Sequence, residues 1–308
     1  MGTKKIIVLG TASQVPSTNR NHIAVFIRWD EEDILIDPGE GTQRQMIRFG
    51  VPINKIKKIL ITHFHGDHCL GLPGVIQRLS LNKVKHPIEI FYPKQGEVFL
   101  HNLINSAIFH NNLELIFKPI EDDGEIPCNG QIKIHAFKLD HGVETFGYKI
   151  SDPTRWNIIP TKLPIDFKKE LIGELKKNKF IEYKGQKIYL HEVAVSKKSQ
   201  VIGYCLDTKV CENAYKIAKD VDILICESTY LSQDEELALN YKHLTATQAA
   251  TIAKDANANK LILLHYSQRY PNHQLFEEEA KKIHENVSAA FDGMEIDLPH
   301  IKREIDKT

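Results

Sequence analysis

The chain has 308 residues, 42% of them hydrophobic, enough apolar material to fill a substantial core without disulfide staples. Its 40 basic and 40 acidic side chains cancel, which excludes a molecule that attracts polyanions as a whole and leaves such a role to local patches. The five cysteines (Cys69, Cys128, Cys205, Cys211, Cys226) are odd in number and form no CxxC pair, which argues against a disulfide framework or a Cys-rich zinc ribbon and fits reduced thiols in a cytoplasmic protein.

In chain order, the first half reads as short β runs ended by polar or glycine turns: IIVLG, HIAVFIRW, DILIDPGE, KKILITHFH, PIEIFYP and QIKIHAFKLDH. Segments with helical spacing intervene, namely EGTQRQMIRFG, GLPGVIQRLSL and GEVFLHNLINSAIF. The second half alternates the strands QVIGYCLDT, VDILICEST and KLILLHYS with the helices KVCENAYKIAKD, LTATQAATIAKDA and LFEEEAKKIHENV. Early hairpins and later β-helix alternation predict an α/β fold of four layers, two sheets in the middle and helices outside. No repeat or low-complexity linker divides the chain, so residues 1–308 are expected to form a single domain. IIVLG is far shorter than the apolar part of a signal peptide, and no run approaches about 18 apolar residues, so no membrane association is expected.

One stretch differs in character. Residues 153–199 carry eleven Lys/Arg (Arg155, Lys162, Lys168, Lys169, Lys176, Lys177, Lys179, Lys184, Lys187, Lys197, Lys198) and five acids (Asp166, Glu170, Glu174, Glu182, Glu192). Composition alone allows either an ordinary solvated helix and hairpin or an inserted basic arm for a polyanion.

The densest chemistry is ITHFHGDHCLG, residues 61–71. An extended HxH puts the His63 and His65 imidazoles on the same side of the strand, and Gly66 allows a sharp turn that brings Asp67 and His68 to the same space. Imidazole nitrogens and carboxylate oxygens are good zinc ligands, three or four to a site. Further candidates stand at the ends of apolar strands: His141 after KIHAFKLD, Asp207 after VIGYCL and His265 after KLILL. Seven such groups suffice for two ions. His63, His65 and His141 are assigned to one zinc, Asp67, His68 and His265 to the other, and Asp207 between them. A closed structural site remains an alternative, but it needs fewer ligands and would bury polar groups at a cost. Two ions about 3.5–4 Å apart suit hydrolysis of a phosphodiester, a thioester or a lactam; the ligands fix the reaction type and leave the substrate open.

HxHxDH with later His, Asp and His resembles the metallo-β-lactamase superfamily. Within it the chain is most similar to the ribonuclease Z family, through GTASQVPSTNRN, DPGEGTQRQ, LDHGVETFGYKI, CLDTK, CESTY, KHLTATQAA and LLHYSQRY. The resemblance implies a metallo-β-lactamase-like αββα sandwich with an inserted arm at about 153–199. It also implies a zinc-dependent endoribonuclease that cuts precursor tRNA after the discriminator nucleotide and leaves a 3′-hydroxyl. It implies two Zn2+ per subunit, although Mn2+ or another divalent ion could take the same ligands. Asp67 is implied to help activate the nucleophilic water, and His243, paired with Glu227, to protonate the leaving 3′-oxygen. Homodimerisation, with the arm of one subunit on RNA bound by the other, is likewise implied.

Three departures stand out. The family's PxKxRN loop reads Pro16-Ser17-Thr18-Asn19-Arg20-Asn21, with threonine for lysine. Its HEAT stretch reads Cys226-Glu227-Ser228-Thr229, which keeps the carboxylate and loses the preceding histidine. The arm region is lysine-bearing and lacks a clear glycine-proline patch, and because structured RNA is read largely by shape and backbone it needs no aromatic base readers. The alternatives are a small-molecule metallo-hydrolase of the same fold, acting as a phosphodiesterase, arylsulfatase or lactamase, and an inactive RNA-binding protein with a structural metal.

Overall fold

The computed structural model describes residues 4–298 apart from 131, 154 and 198. Gln131, the first residue of the expected strand QIKIHAFKLDH, Lys198 of the basic stretch, and the chain beyond 298 lie outside the described residues. Residues up to Ser151 and from Val201 onward form one compact unit, and Asp152–Gln200 forms a second.

The first unit begins with β1 (Lys4–Gly10), β2 (Ala24–Trp29) and β3 (Glu32–Ile36), an antiparallel meander. Helix α1 (Thr42–Arg48) leads to β4 (Ile56–Leu60), then α2 (Gly66–Cys69) and α3 (Leu72–Leu81), β5 (Ile88–Pro93), α4 (Glu97–Ile104) and β6 (Leu115–Ile120). From β3 to β6 the strands run parallel. The expected helix 96–109 stops at Ile104, where the Asn105 side-chain amide donates to the His101 carbonyl at 2.8 Å. A second sheet starts with β7 (Gly124–Ile126), β8 (Lys133–Leu139) and β9 (Thr145–Ser151).

The second unit, residues 152–200, contains β10 (Arg155–Ile158), α5 (Ile172–Asn178), the hairpin β11 (Phe180–Tyr183) and β12 (Gln186–Tyr189), α6 (Leu190–Val193) and β13 (Ala194–Lys197). Strand β10 pairs with β13, and a small core of Leu175, Ile181, Ile188, Leu190 and Val193 holds the piece together, with Trp156, Phe167 and Tyr183 packed against it.

Back in the first unit come β14 (Val201–Cys205), α7 (Glu212–Ala218), β15 (Ile223–Glu227), α8 (Glu235–Tyr241), α9 (Ala246–Asp255), β16 (Leu261–Leu264), α10 (Gln274–Ala280), β17 (Val287–Ala289) and β18 (Glu295–Asp297). Among the described residues the two sheets of this unit have seven strands each, in the orders β18-β1-β2-β3-β4-β5-β6 and β17-β16-β15-β14-β9-β8-β7. Because side chains alternate along a strand, Ile6 and Val8 of β1 join the core between the sheets while Ile7 and Leu9 face α1 and α3. On β15, Ile223 and Ile225 point inward and Leu224 and Cys226 face α7 and α9. Burial on both faces is why these strands read as continuous apolar runs, and the result is the expected helix–sheet–sheet–helix arrangement. Among the described residues no helix is long and apolar enough to cross a membrane.

The parallel strands β4, β14, β15 and β16 all deliver their C-terminal ends to one edge, where open α/β sheets place ligands. Two glycines let the loops there approach closely. A Cβ on Gly71 would sit 2.0 Å from the Gly39 carbonyl oxygen, and one on Gly39 would sit 2.1 Å from that of Asp67. The Gly71 N–H donates to the Pro38 carbonyl at 2.9 Å, so the loop after β3 and the turn after β4 are locked back to back. Gly71→Ala should therefore force the two apart and lower stability by about 1–3 kcal/mol, read as a lower urea midpoint; an unchanged midpoint would mean that the turn gives way freely.

Candidate metal centre

The turn after β4 carries His63, His65, Asp67 and His68, the loop after β8 carries His141, and Asp207 and His265 follow β14 and β16. The structure brings all seven together. One ligand atom from each of His63, His65, His141 and Asp207 lies within 4.8 Å of the others, as do those of Asp67, His68 and His265. Asp207 touches both groups: its Oδ2 is 3.6 Å from His63 Nε2, 3.5 Å from His68 Nε2 and 3.7 Å from His141 Nε2, and its Oδ1 is 3.3 Å from His265 Nε2. Asp207 and His265 are held at φ of +54° and +65°, conformations that cost energy in a residue with a Cβ and cluster at functional sites.

Hydrogen bonds on the outer side of the cluster decide which nitrogen of each ring faces in. Thr62 Oγ1 donates to the Asp37 carboxylate at 2.9 Å, so it accepts from His63 Nδ1 at 3.0 Å. His68 Nδ1 lies 3.1 Å from Asp37 Oδ2, and His141 Nδ1 is 3.2 Å from the Lys242 carbonyl. Thr229 Oγ1 donates to Glu227 Oε2 at 2.6 Å and accepts from His265 Nδ1 at 2.9 Å. In their neutral form these four imidazoles carry the proton on Nδ1 and turn a bare Nε2 inward. There His63 Nε2 meets His65 Nδ1 at 3.0 Å, and His68 Nε2 meets His265 Nε2 at 3.2 Å. Nitrogen lone pairs facing each other at such range repel, and among the described residues the buried Asp207 Oδ1 has no hydrogen-bond partner. This donor set fits divalent cations, with partners behind the rings orienting them as metal sites require.

The electrostatics agree. Burial alone would raise Asp67 and Asp207, yet the facing His68 and His265 hold both carboxyls below the usual carboxylate range. Burial disfavours charge on His68, but Asp207, Asp67 and Asp37 around it outweigh that and push its pKa up. The pocket is short of positive charge.

His243 and Glu227 also meet as expected from the resemblance. His243 Nδ1 lies 3.1 Å from both Glu227 oxygens, and the buried carboxylate further accepts the Thr208 N–H at 2.6 Å and the Leu244 N–H at 3.1 Å. Burial opposes charging of His243, but Glu227 outweighs it and pushes the imidazole up to about 9. Both His243 and the cluster open into a cleft of about 570 Å³ whose wall also includes Ser13, His22, Tyr230 and Arg269.

Sequence reasoning missed Asp37, Thr62 and Thr229 as part of this centre. Asp37 is fully buried at φ +48°, accepts from Thr62 N–H at 2.7 Å and from Tyr204 O–H at 3.1 Å, and stands behind His68. An acid directly after the apolar run DILI was the available signal. Asp37→Asn should weaken metal binding about 10–100-fold, measured by equilibrium dialysis against zinc; unchanged affinity would show that Asp37 does not orient the ligands.

A family profile described as the metallo-β-lactamase superfamily matches residues 18–152. Among curated proteins, a ribonuclease Z of Protochlamydia amoebophila is 42% identical over 294 residues, 95% of this chain and 96% of that protein. One from Salinispora arenicola is 39% identical over 92% of each. Among solved structures, human tRNase Z, short form, aligns with a TM-score of 0.66 at 26% identity, covering 96% of this chain and all of that one. The metallo-β-lactamase fold protein YhfI of Bacillus subtilis aligns at 0.70 and 16% identity over 96% of this chain and all of its own, which speaks to the fold alone. By its sequence over nearly its whole length and by its fold, the chain belongs to the ribonuclease Z family of the metallo-β-lactamase superfamily.

Proposed function

We propose that the chain is a metal-dependent endoribonuclease that removes the 3′ trailer from precursor tRNA, leaving a 3′-hydroxyl on the tRNA and a 5′-phosphate on the trailer. The observation that carries this reading is the 42% identity to a ribonuclease Z over 95% of the chain. The convergence of seven ligand-type groups beside the His243–Glu227 pair supports it.

In this reading His63, His65 and His141 would hold one zinc ion and Asp67, His68 and His265 a second, with Asp207 within reach of both groups. Divalent cations held there would lower the proton affinity of water and offset charge developing on a phosphoryl oxygen. Asp67, kept ionised and only 8% exposed at the cleft floor, accepts a hydrogen bond from the attacking water and orients it. Glu227 holds His243 through Nδ1, which turns Nε2 toward the cleft. From Nε2 a proton passes to the 3′-oxygen as the P–O bond breaks. A ribose alkoxide leaves poorly, and an imidazolium poised by a carboxylate is a competent acid.

The 152–200 unit is read as the inserted arm, its lysines paired with RNA phosphates, which makes binding steeply salt-dependent. A homodimer in the cytoplasm completes the reading. Its supports are the resemblance and, for the compartment, five free cysteines; sedimentation at working concentrations tests the dimer.

The direct test is incubation with a precursor tRNA bearing a 3′ trailer, with products sized at nucleotide resolution; a chain that leaves the trailer in place with every divalent metal would defeat the proposal. Chelation should abolish cleavage, and zinc should restore it at two ions per subunit by metal analysis. His243→Ala should lower kcat on precursor tRNA by about 10²–10⁴-fold, and much less on bis(p-nitrophenyl) phosphate, whose leaving group needs no proton. Equal losses on both substrates would remove His243 from the role of acid.

A further inference from the structure

The β11–β12 hairpin of the 152–200 unit shows its two faces clearly. Its register pairs Phe180 with Tyr189, Ile181 with Ile188 and Glu182 with Lys187. Ile181 and Ile188 are buried in the unit's small core, so by strand alternation the Phe180–Tyr189 and Glu182–Lys187 pairs face outward. Phe180 is 43% exposed and Tyr189 39%. Their ring centroids are 6.2 Å apart, and the exposed His191 ring continues the row 5.6 Å from Tyr189. Lys187 Nζ sits 5.5 Å from the Phe180 ring centre. Between 176 and 192 the chain carries five lysines (Lys176, Lys177, Lys179, Lys184, Lys187) and two glutamates (Glu182, Glu192).

A hairpin held by its inner face has no folding need for two rings on its outer one, nor for the exposed His191 of α6 beside them. A phenyl, a phenol and an imidazole in a row offer π-faces to planar ligands, and Lys187 beside them, with Lys176 and Lys177 of the preceding helix, favours ligands that are also anionic. Nucleobases joined by phosphates meet both requirements, and stacking on aromatic side chains is how unpaired bases are held irrespective of identity. We infer that Phe180, Tyr189 and His191 form a stacking platform for bases that a folded RNA turns outward, with Lys176, Lys177 and Lys187 on the adjoining phosphates. This deepens, and rests on, the reading of the 152–200 unit as RNA-binding.

The test uses the full chain, a tRNA transcript with a 3′ trailer, and a perfect RNA duplex of equal length, with binding followed over a range of salt. Each variant is first checked for an unchanged unfolding midpoint. The double variant Phe180→Leu/Tyr189→Leu keeps apolar bulk and removes the rings; it should weaken tRNA binding roughly ten-fold, leave the salt slope unchanged and affect the duplex little. Tyr189→Phe, which keeps the ring, should leave affinity unchanged in the otherwise native chain, and Lys176→Ala/Lys177→Ala should instead flatten the salt slope. If the lysine variant acts and the leucine variant does not, the platform is overturned while the arm reading survives. If neither acts, the arm reading falls and takes the platform with it. Equal weakening toward tRNA and duplex, or loss of binding to phosphatidylserine vesicles with tRNA affinity intact, would also overturn the platform.

Discussion

The centre depends on which nitrogen of each histidine carries the proton. Asp37 and Thr62 form a buried acceptor pair behind His63 and His68, and Glu227 and Thr229 form another behind His243 and His265. In each pair a threonine hydroxyl gives its single proton to a carboxylate and so has only a lone pair left for the neighbouring ring. The rings must donate outward, and their lone pairs must face in. A set of bare nitrogens and ionised carboxylates is then unsatisfied by protein alone, and a cation is what satisfies it.

Such an arrangement is expensive to hold. Asp37, Asp207 and His265 sit at positive φ, and fully buried Glu227 and nearly buried Asp207 are kept charged. The scaffold bears this because the strands that feed the site are buried on both faces, between helices and the opposing sheet. Ligands mounted directly beyond the ends of β4, β14 and β16 have little freedom to relax away from one another. Close backbone contact at Gly39 and Gly71 removes what freedom the two connecting turns would otherwise have.

Much of this was legible in the chain. Apolar runs such as ILIT and LILL announce doubly buried strands, and the polar groups that end them announce the site, because side chains just past a parallel strand share one edge of the sheet. Local spacing also brought His63, His65, Asp67 and His68 to one turn. Asp37 was hidden because its partners lie far off: Thr62 is 25 residues away and Tyr204 is 167. Strand β6 was missed because LIFKPI is partly exposed and interrupted by a lysine and a proline, so it lacks the period that marks buried strands. The row of Phe180, Tyr189 and His191 is invisible until the register is known, since only pairing shows that Phe180 and Tyr189 share a face.

The division of labour follows from the chemistry of each part. Imidazoles and carboxylates around cations make a nucleophile for many esters and say nothing of which one is cut, and chains only 16% identical share the fold. Selectivity must come from outside the cluster. In the proposed mechanism His243 and Glu227 would supply one kind: with a proton ready for the departing oxygen, the site would turn over unactivated alkoxide esters that a nucleophile alone would cleave slowly. The basic 152–200 unit, read as the arm, would supply another, since its charge would favour long anions over small ones however similar the bond being broken. On that proposal a chain that kept the cluster and lost both would be a hydrolase of activated esters, and commitment to RNA would reside in the acid pair and the lysine-rich unit rather than in the metal ligands.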